Sequence, residues 1–177
     1  MSENMKTGVE IERKYIIKKP HVDLLSRQNE YTKSEIVQIY ITSAEGETHR
    51  IRRRDYGDRV QYIETRKIRI DSISVTEIEG EITEERFAEL KKKQTEGSSP
   101  VLKTRHTFKY KGQIFEIDVY PQWHNTAIME TELESREERA EMPEFIEILK
   151  EVTGERIYSN ASMSKAFPPE IHPTAES

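Results

Sequence analysis

Charged and apolar residues alternate along most of this chain. In Glu10-Ile11-Glu12-Arg13-Lys14-Tyr15-Ile16, every second position carries Glu10, Glu12 and Lys14. A period of two marks a strand, because successive side chains point to opposite faces. The same pattern predicts strands over 36–42, rich in β-branched residues, and around Arg50, Arg52 and Arg54. It continues over 60–70 with Thr65, Lys67 and Arg69 in one row, and over 74–82 with Glu77, Glu79 and Glu81. Further strands follow over 101–110 with Lys103 and Arg105, 114–120 with Glu116 and Asp118, and 128–134 with Glu130, Glu132 and Glu134. Turns are expected at 44–47, at 55–58 and at Gly112, where Gly and Asp punctuate the alternation.

Helical signals interrupt this series. Thr83 can cap a helix with Glu84 and Glu85 in its first turn and Phe87 and Leu90 on its buried side. A short helix is expected over 21–28. Ser135 and Glu138 have capping-box spacing. Pro143 suits a first helical turn, with Phe145, Leu149 and Val152 forming an apolar stripe that ends near Gly154. Asn160 is expected to cap a last helix running to 167. The pattern divides the chain into a flexible start over 1–8, one domain over 9–167 and a flexible tail over 168–177.

One such strand is most often the wet face of a sheet. Here the sign of the charged row changes between strands, while the opposite faces are largely Ile, Val, Leu and Met. An antiparallel sheet with one apolar face can be covered by helices. If that sheet also closes, its charged face lines the interior. The expected class is therefore α+β: an eight-stranded antiparallel β-barrel with helices packed on its outside. Acidic rows would offer hard oxygen ligands to Mg²⁺ or Mn²⁺. Arginines would clamp phosphate oxygens, and lysines would act as point charges.

Composition narrows the partners. The chain has 177 residues, 34% of them charged, with a net charge of −5 and no cysteine. An acidic chain is a poor general nucleic-acid binder, so no nucleic acid partner is expected. The polar start and the lack of a long apolar run give no signal peptide and no membrane span, so the default is cytoplasmic. Gly is scarce and no Walker-type phosphate loop occurs. His106 and His124 lack ligand spacing and are read as surface residues. Trp123 is read as packing or at a loop edge, and Tyr158 and Asn160 as docking and capping a terminal helix. Glu81, Glu116 and Glu134 are read as solvated strand ends.

The ordered motifs resemble the CYTH family, the triphosphate tunnel metalloenzymes. Glu10-Ile11-Glu12-Arg13-Lys14 resembles the family's Glu-x-Glu-x-Lys hallmark. Arg50-Ile51-Arg52, Thr65-Arg66-Lys67, Glu77-Ile78-Glu79 and Lys103-Thr104-Arg105 resemble its next strands. The 115–120 segment with Asp118, Glu130-Thr131-Glu132, and the 151–160 segment are similar to its later ones.

The resemblance implies hydrolysis of a triphosphate, most simply inorganic triphosphate, by two Mg²⁺ or Mn²⁺ ions. Glu10, Glu12, Asp118, Glu130 and Glu132 would be metal ligands. Arg50, Arg52, Lys67, Lys103 and Arg105 would hold phosphates, with Glu77 and Glu79 shaping the site. Lys14 and Tyr40 would activate water, with Lys14 serving as a base if cationic neighbours lower its pKa. Alternatives are a class IV adenylate cyclase, a thiamine or nucleoside triphosphatase, and a non-catalytic triphosphate-binding module. The partner is a small-molecule triphosphate, and the protein a monomer or homodimer. Two departures stand out: Ile39 where the family often has Gly, and Val75 where it often has Arg. At Val75 one phosphate contact is either missing or supplied by Arg69 or Arg54.

Overall fold

A computed structural model describes residues 5–172. The expected flexible ends therefore lie outside the described residues at 1–4 and 173–177. Eight long strands follow one another: β1 (Lys6–Lys18), β2 (Asn29–Ile41), β3 (Glu47–Asp55), β4 (Val60–Arg69), β5 (Ser74–Ile82), β6 (Val101–Tyr110), β7 (Gln113–Val119) and β8 (Thr126–Leu133). Their spatial order is β5-β4-β3-β2-β6-β7-β8-β1, and β1 also pairs with β5. All of these pairings are antiparallel, so the sheet closes into an eight-stranded barrel.

The length of β1 makes the closure possible. Its first half, Lys6 to Ile11, pairs with β5, and Ile11 to Lys18 pairs with β8. This stagger is the shear that closing a barrel requires. Tight turns come from residues that accept positive φ. Lys111 (φ 47°) and Gly112 (φ 78°) form the two-residue hairpin between β6 and β7. Such primed turns match the right-handed twist of the paired strands.

Two apolar clusters cover the outside. Helix α1 (Val22–Ser26) and the 140–146 segment place Leu25 and Ile146 against Ile17, Phe108, Phe115, Ile117 and Met129. Helix α2 (Glu84–Lys91) places Phe87 and Leu90 against Ile39, Ile41 and Ile51. Its first turn is capped as expected, Arg86 N donating to Thr83 Oγ1 at 3.1 Å. A third cluster joins residues of the charged strand faces, Ile16, Tyr40, Val101, Tyr120 and Ile128, to Trp123, Val152, Tyr158 and Met163. This plugs part of one barrel end with the C-terminal segment. Ile39 packs into the apolar outer cluster, where a glycine would leave a gap.

The structure corrects several expectations. No helix forms after Pro143; Ile148–Glu151 is a ninth strand, β9, paired antiparallel with β1 at Tyr15 to Ile17. Beyond Ile11 the edge of β1 has left β5, and its backbone groups need partners. Val152 N donates to Lys14 O at 2.8 Å and Lys18 N to Glu147 O at 2.9 Å. Ser135 and Glu138 close a turn, in which Glu134 N donates to the Glu138 carboxylate, without a helix.

The last helix, α3 (Asn160–Lys165), is capped by Ser159, whose Oγ accepts from Ser162 N, rather than by Asn160. It stops early, and Pro168 disfavours helical backbone at Phe167. Order continues past Pro168: Trp123 Nε1 donates to Pro168 O, and the Glu170 carboxylate accepts from His124 N, Asn125 N and Thr126 N. At the other end, β1 begins at Lys6, ahead of the expected domain start. His106 is buried rather than on the surface, with Nδ1 2.8 Å from Tyr31 Oη. No helix among the described residues is long and apolar enough to cross a membrane.

Candidate active site

Strand parity sends the charged rows into the barrel, and register sets who meets whom. Arg50 lies opposite Tyr40 on one side and Thr65 on the other. Lys14 lies opposite Glu130, and Glu130 opposite Glu116. Beside the apolar plug these residues enclose a cavity of about 540 Å³. Its walls carry Glu10, Glu12, Lys14, Tyr40, Arg50, Lys67, Arg105 and Glu130, all expected from the sequence. Its rim is built by Glu45 and Gly46 of the β2–β3 turn, Ser72 and Ile73 of the β4–β5 turn, and Gly154 and Arg156 of the C-terminal segment.

The remaining expected residues are not among those lining this cavity. Asp118 is buried under a double load of cations. Its Oδ1 accepts from Arg105 Nε at 2.7 Å, and its Oδ2 from Arg105 Nη2 and Lys103 Nζ at 2.8 Å each. Despite burial, these partners hold the Asp118 carboxyl far below the usual range. Burial lowers Lys103 to about 7 even with Asp118 beside it. Arg52 pairs with Glu79 at 3.0 Å, and Thr65 Oγ1 donates to the same Glu79 oxygen. Glu77 pairs with Lys67. Glu132 is exposed.

Within the cavity, Lys14 Nζ sits 3.2 Å from Glu130, 3.9 Å from Glu12 and 3.3 Å from the Tyr158 carbonyl. Burial works against its charge, but Glu130 and Glu12 prevail and raise its pKa. Its nearest charged neighbours are carboxylates, whereas a lysine lowered into base range needs cations beside it. Nor does a hydrogen bond join Lys14 to Tyr40 among the described residues; the Tyr40 hydroxyl accepts from Gln38 Nε2 at 2.6 Å. Burial and the Glu130 carboxylate push Glu12 up to about 8. Burial would also raise Glu130, yet Lys14 holds it down at about 2.

The donor chemistry suits a hard cation. Glu12 and Glu130 crowd like charges in a buried place, which a divalent ion relieves. In the described residues, however, no three His, Cys, Asp or Glu side chains are gathered in a metal-holding group. Glu10 and Glu130 are turned instead to Lys67 and Lys14.

The sequence reading missed several wall residues. Glu116 lines the cavity and pairs with Arg105 at 2.6 Å. Its parity matched that of Asp118, a signal that was available. Asn160 also lines the cavity, and its Oδ1 accepts from Tyr120 Oη at 2.9 Å. Arg156 lies outside any alternating segment, so no periodicity could have marked it. Of the two candidates to replace an arginine at Val75, Arg69 stands directly opposite Val75 and lines the cavity with it. Arg54 instead donates to Ser34 Oγ.

Comparison with known proteins agrees with this architecture. The inorganic triphosphatase NE1496 is similar in structure, with 25% identity, a TM-score of 0.56, and coverage of 91% of this chain and 97% of that one. PH1819 from Pyrococcus horikoshii OT3 shares the fold at 23% identity and TM-score 0.54, over 72% of this chain and 80% of that one. HpAC1 from Hippeastrum, named for adenylyl cyclase and described with a dominant triphosphatase activity, shares it at 17% identity and TM-score 0.51, over 72% and 81% of the chains. A sequence comparison with curated proteins gave no match. The CYTH domain model matches residues 8–167, and the chain belongs to the CYTH family.

Proposed function

We propose that this protein hydrolyses the terminal phosphoanhydride of inorganic triphosphate, releasing pyrophosphate and phosphate, with Mg²⁺ or Mn²⁺. One observation carries the reading: Glu10, Glu12 and Glu130 face the same cavity as Lys14, Arg50, Lys67 and Arg105. A metal-bound polyphosphate requires both signs of charge in one enclosed place.

Glu12 and Glu130, with Glu10 and Glu132 flanking them, would be the oxygen donors for the cation. When bound, a divalent ion would supply charge neutralisation to the phosphates and help to activate water. The chain's own groups do the rest. Arg50 and Arg105 hold phosphate oxygens by charge-assisted hydrogen bonds. Lys14, 3.2 Å from Glu130, stabilises charge building on the phosphoryl oxygens. Because Tyr40 accepts from Gln38, its own proton remains free to orient water or a phosphate oxygen. Asp118 acts from behind, fixing Arg105 and Lys103. Phosphoryl transfer needs mostly this positioning and charge stabilisation.

The test is to supply inorganic triphosphate, pyrophosphate, ATP and thiamine triphosphate, each with Mg²⁺ or Mn²⁺, and to measure phosphate and cyclic AMP. Metal-dependent phosphate release from inorganic triphosphate, exceeding that from the other three, is the expected result. Cyclic AMP from ATP, or tight binding without turnover, would replace this reading.

A further inference from the structure

The cations around the cavity fall into two groups. Lys14, Lys67 and Arg105 are already paired with Glu130, Glu10 and Asp118. Arg50, Arg69 and Arg156 also line the cavity, yet no carboxylate among the described residues lies within ion-pairing distance of any of them. Arg50 is inside, and its buried Nε has no hydrogen-bond partner. The other two are exposed at the rim.

Arg69 ends β4, and its Nη1 donates to the carbonyls of Asp71 and Ser72 at 3.0 and 3.4 Å. Those bonds fix the guanidinium and leave its other amino group free. Arg156 arrives from the C-terminal segment, on the 3-10 turn Arg156–Tyr158. Tyr158 anchors that turn in the apolar plug.

The two segments touch. Gly154 has φ +77°, and a Cβ there would stand 2.9 Å from Ser72 O. This close approach brings the Arg156 segment against the loop that holds Arg69. Val75, directly opposite Arg69 on β5, lines the same cavity with a small apolar side chain. The rim acids offset little of this charge. Glu47 is paired with Arg66 and Glu155 with Lys150, which leaves Glu45.

We propose that Arg69 and Arg156 form an outer phosphate subsite, which takes the phosphate of a linear polyphosphate farthest from Lys14 and Glu130. This deepens the hydrolase reading and rests on it. The subsite makes binding depend on chain length. Pyrophosphate held inside by Arg50 does not reach the rim, whereas triphosphate and tetraphosphate do.

The experiment compares wild type with Arg69→Ala, Arg156→Ala, Arg156→Lys and the double alanine variant. Arg59→Ala, at the β3–β4 turn and outside the cavity, is the control. Binding of pyrophosphate, triphosphate and tetraphosphate is titrated without metal, and triphosphate turnover is measured with Mg²⁺. Each alanine change is expected to weaken triphosphate binding and raise KM about tenfold, the scale of one charge-assisted contact. Expected alongside are a kcat within about twofold, unchanged pyrophosphate affinity and partial rescue by lysine. Equal affinities in variants and wild type, or an equal loss for pyrophosphate and triphosphate, would overturn the subsite. A wild type that shows the chain-length increment but no turnover would overturn the hydrolase reading and keep the subsite. A wild type that binds no polyphosphate would overturn both.

Discussion

At the scale of residues, burial and pairing separate the groups that can meet substrate from those that hold them in place. Asp118 looks like a ligand by motif, but its oxygens are committed to Arg105 and Lys103. Asp118→Asn would leave two buried cations short of a partner, at a cost of about 3 kcal/mol or more. For a chain of this size that lowers the melting temperature by roughly 6–12 °C. A thermal melt checks it, and a melt unchanged within about 2 °C would free Asp118 for another role. Glu12 and Glu130 are the opposite case, half-buried carboxylates crowded together on the cavity wall. Glu12→Gln is expected to reduce metal-dependent triphosphate turnover more than about a hundredfold, and exposed Glu132→Gln far less. Equal losses in the two variants would move Glu132 into the inner donor set.

At the scale of elements, the strands were legible and the connections between them were less so. Alternation marked all eight barrel strands because each keeps one face in the charged interior and one against apolar cover. It failed over 143–154, where apolar spacing suggested a helix and an unpaired backbone edge demanded a strand. The deciding factor was β1, whose free edge past Ile11 is invisible until β5 is seen to leave it. Gly154, in the turn after this C-terminal strand, packs against Ser72. Gly154→Ala combines a strained φ with a backbone clash, so it is expected to cost at least about 1 kcal/mol. Chemical denaturation measures that loss. Thr83→Ala, which removes only the α2 cap, should cost about 1 kcal/mol by the same measurement and leave turnover unchanged.

At the scale of the whole molecule, an outer polar network joins α2 to the barrel. Glu64 is 1% exposed and accepts from Arg86 at 2.9 and 3.0 Å, with His49 Nε2 2.9 Å away. Burial opposes the Glu64 charge, but the bonds from Arg86 and His49 lower its pKa from 4.5. The stability it contributes is therefore complete above 4.5 and lost as pH falls through the folded value. Burial lowers His49 from 6.5, so protonating it also favours the unfolded chain, and its contribution is lost as pH falls below 6.5. Both signs predict acid destabilisation. Melting temperature should fall from pH 7 to pH 4. His49→Gln should flatten the upper part of that slope and Glu64→Gln the lower part. Parallel curves for wild type and both variants would show that the network does not govern acid stability.

The alternation of charge along the chain determined the strand content and which side chains share a face, because a strand's two-residue period is a local property. Together with the ordered motifs it identified eight of the residues that line the cavity, Glu10, Glu12, Lys14, Tyr40, Arg50, Lys67, Arg105 and Glu130. Only the tertiary structure decided which of those charges remain free, because ion pairing depends on register between strands far apart in sequence. Closure of β1 on β5, the C-terminal plug, and the approach of Gly154 to Ser72 at the rim are likewise long-range facts. Each follows from backbone edges and apolar surfaces finding partners that no local pattern names.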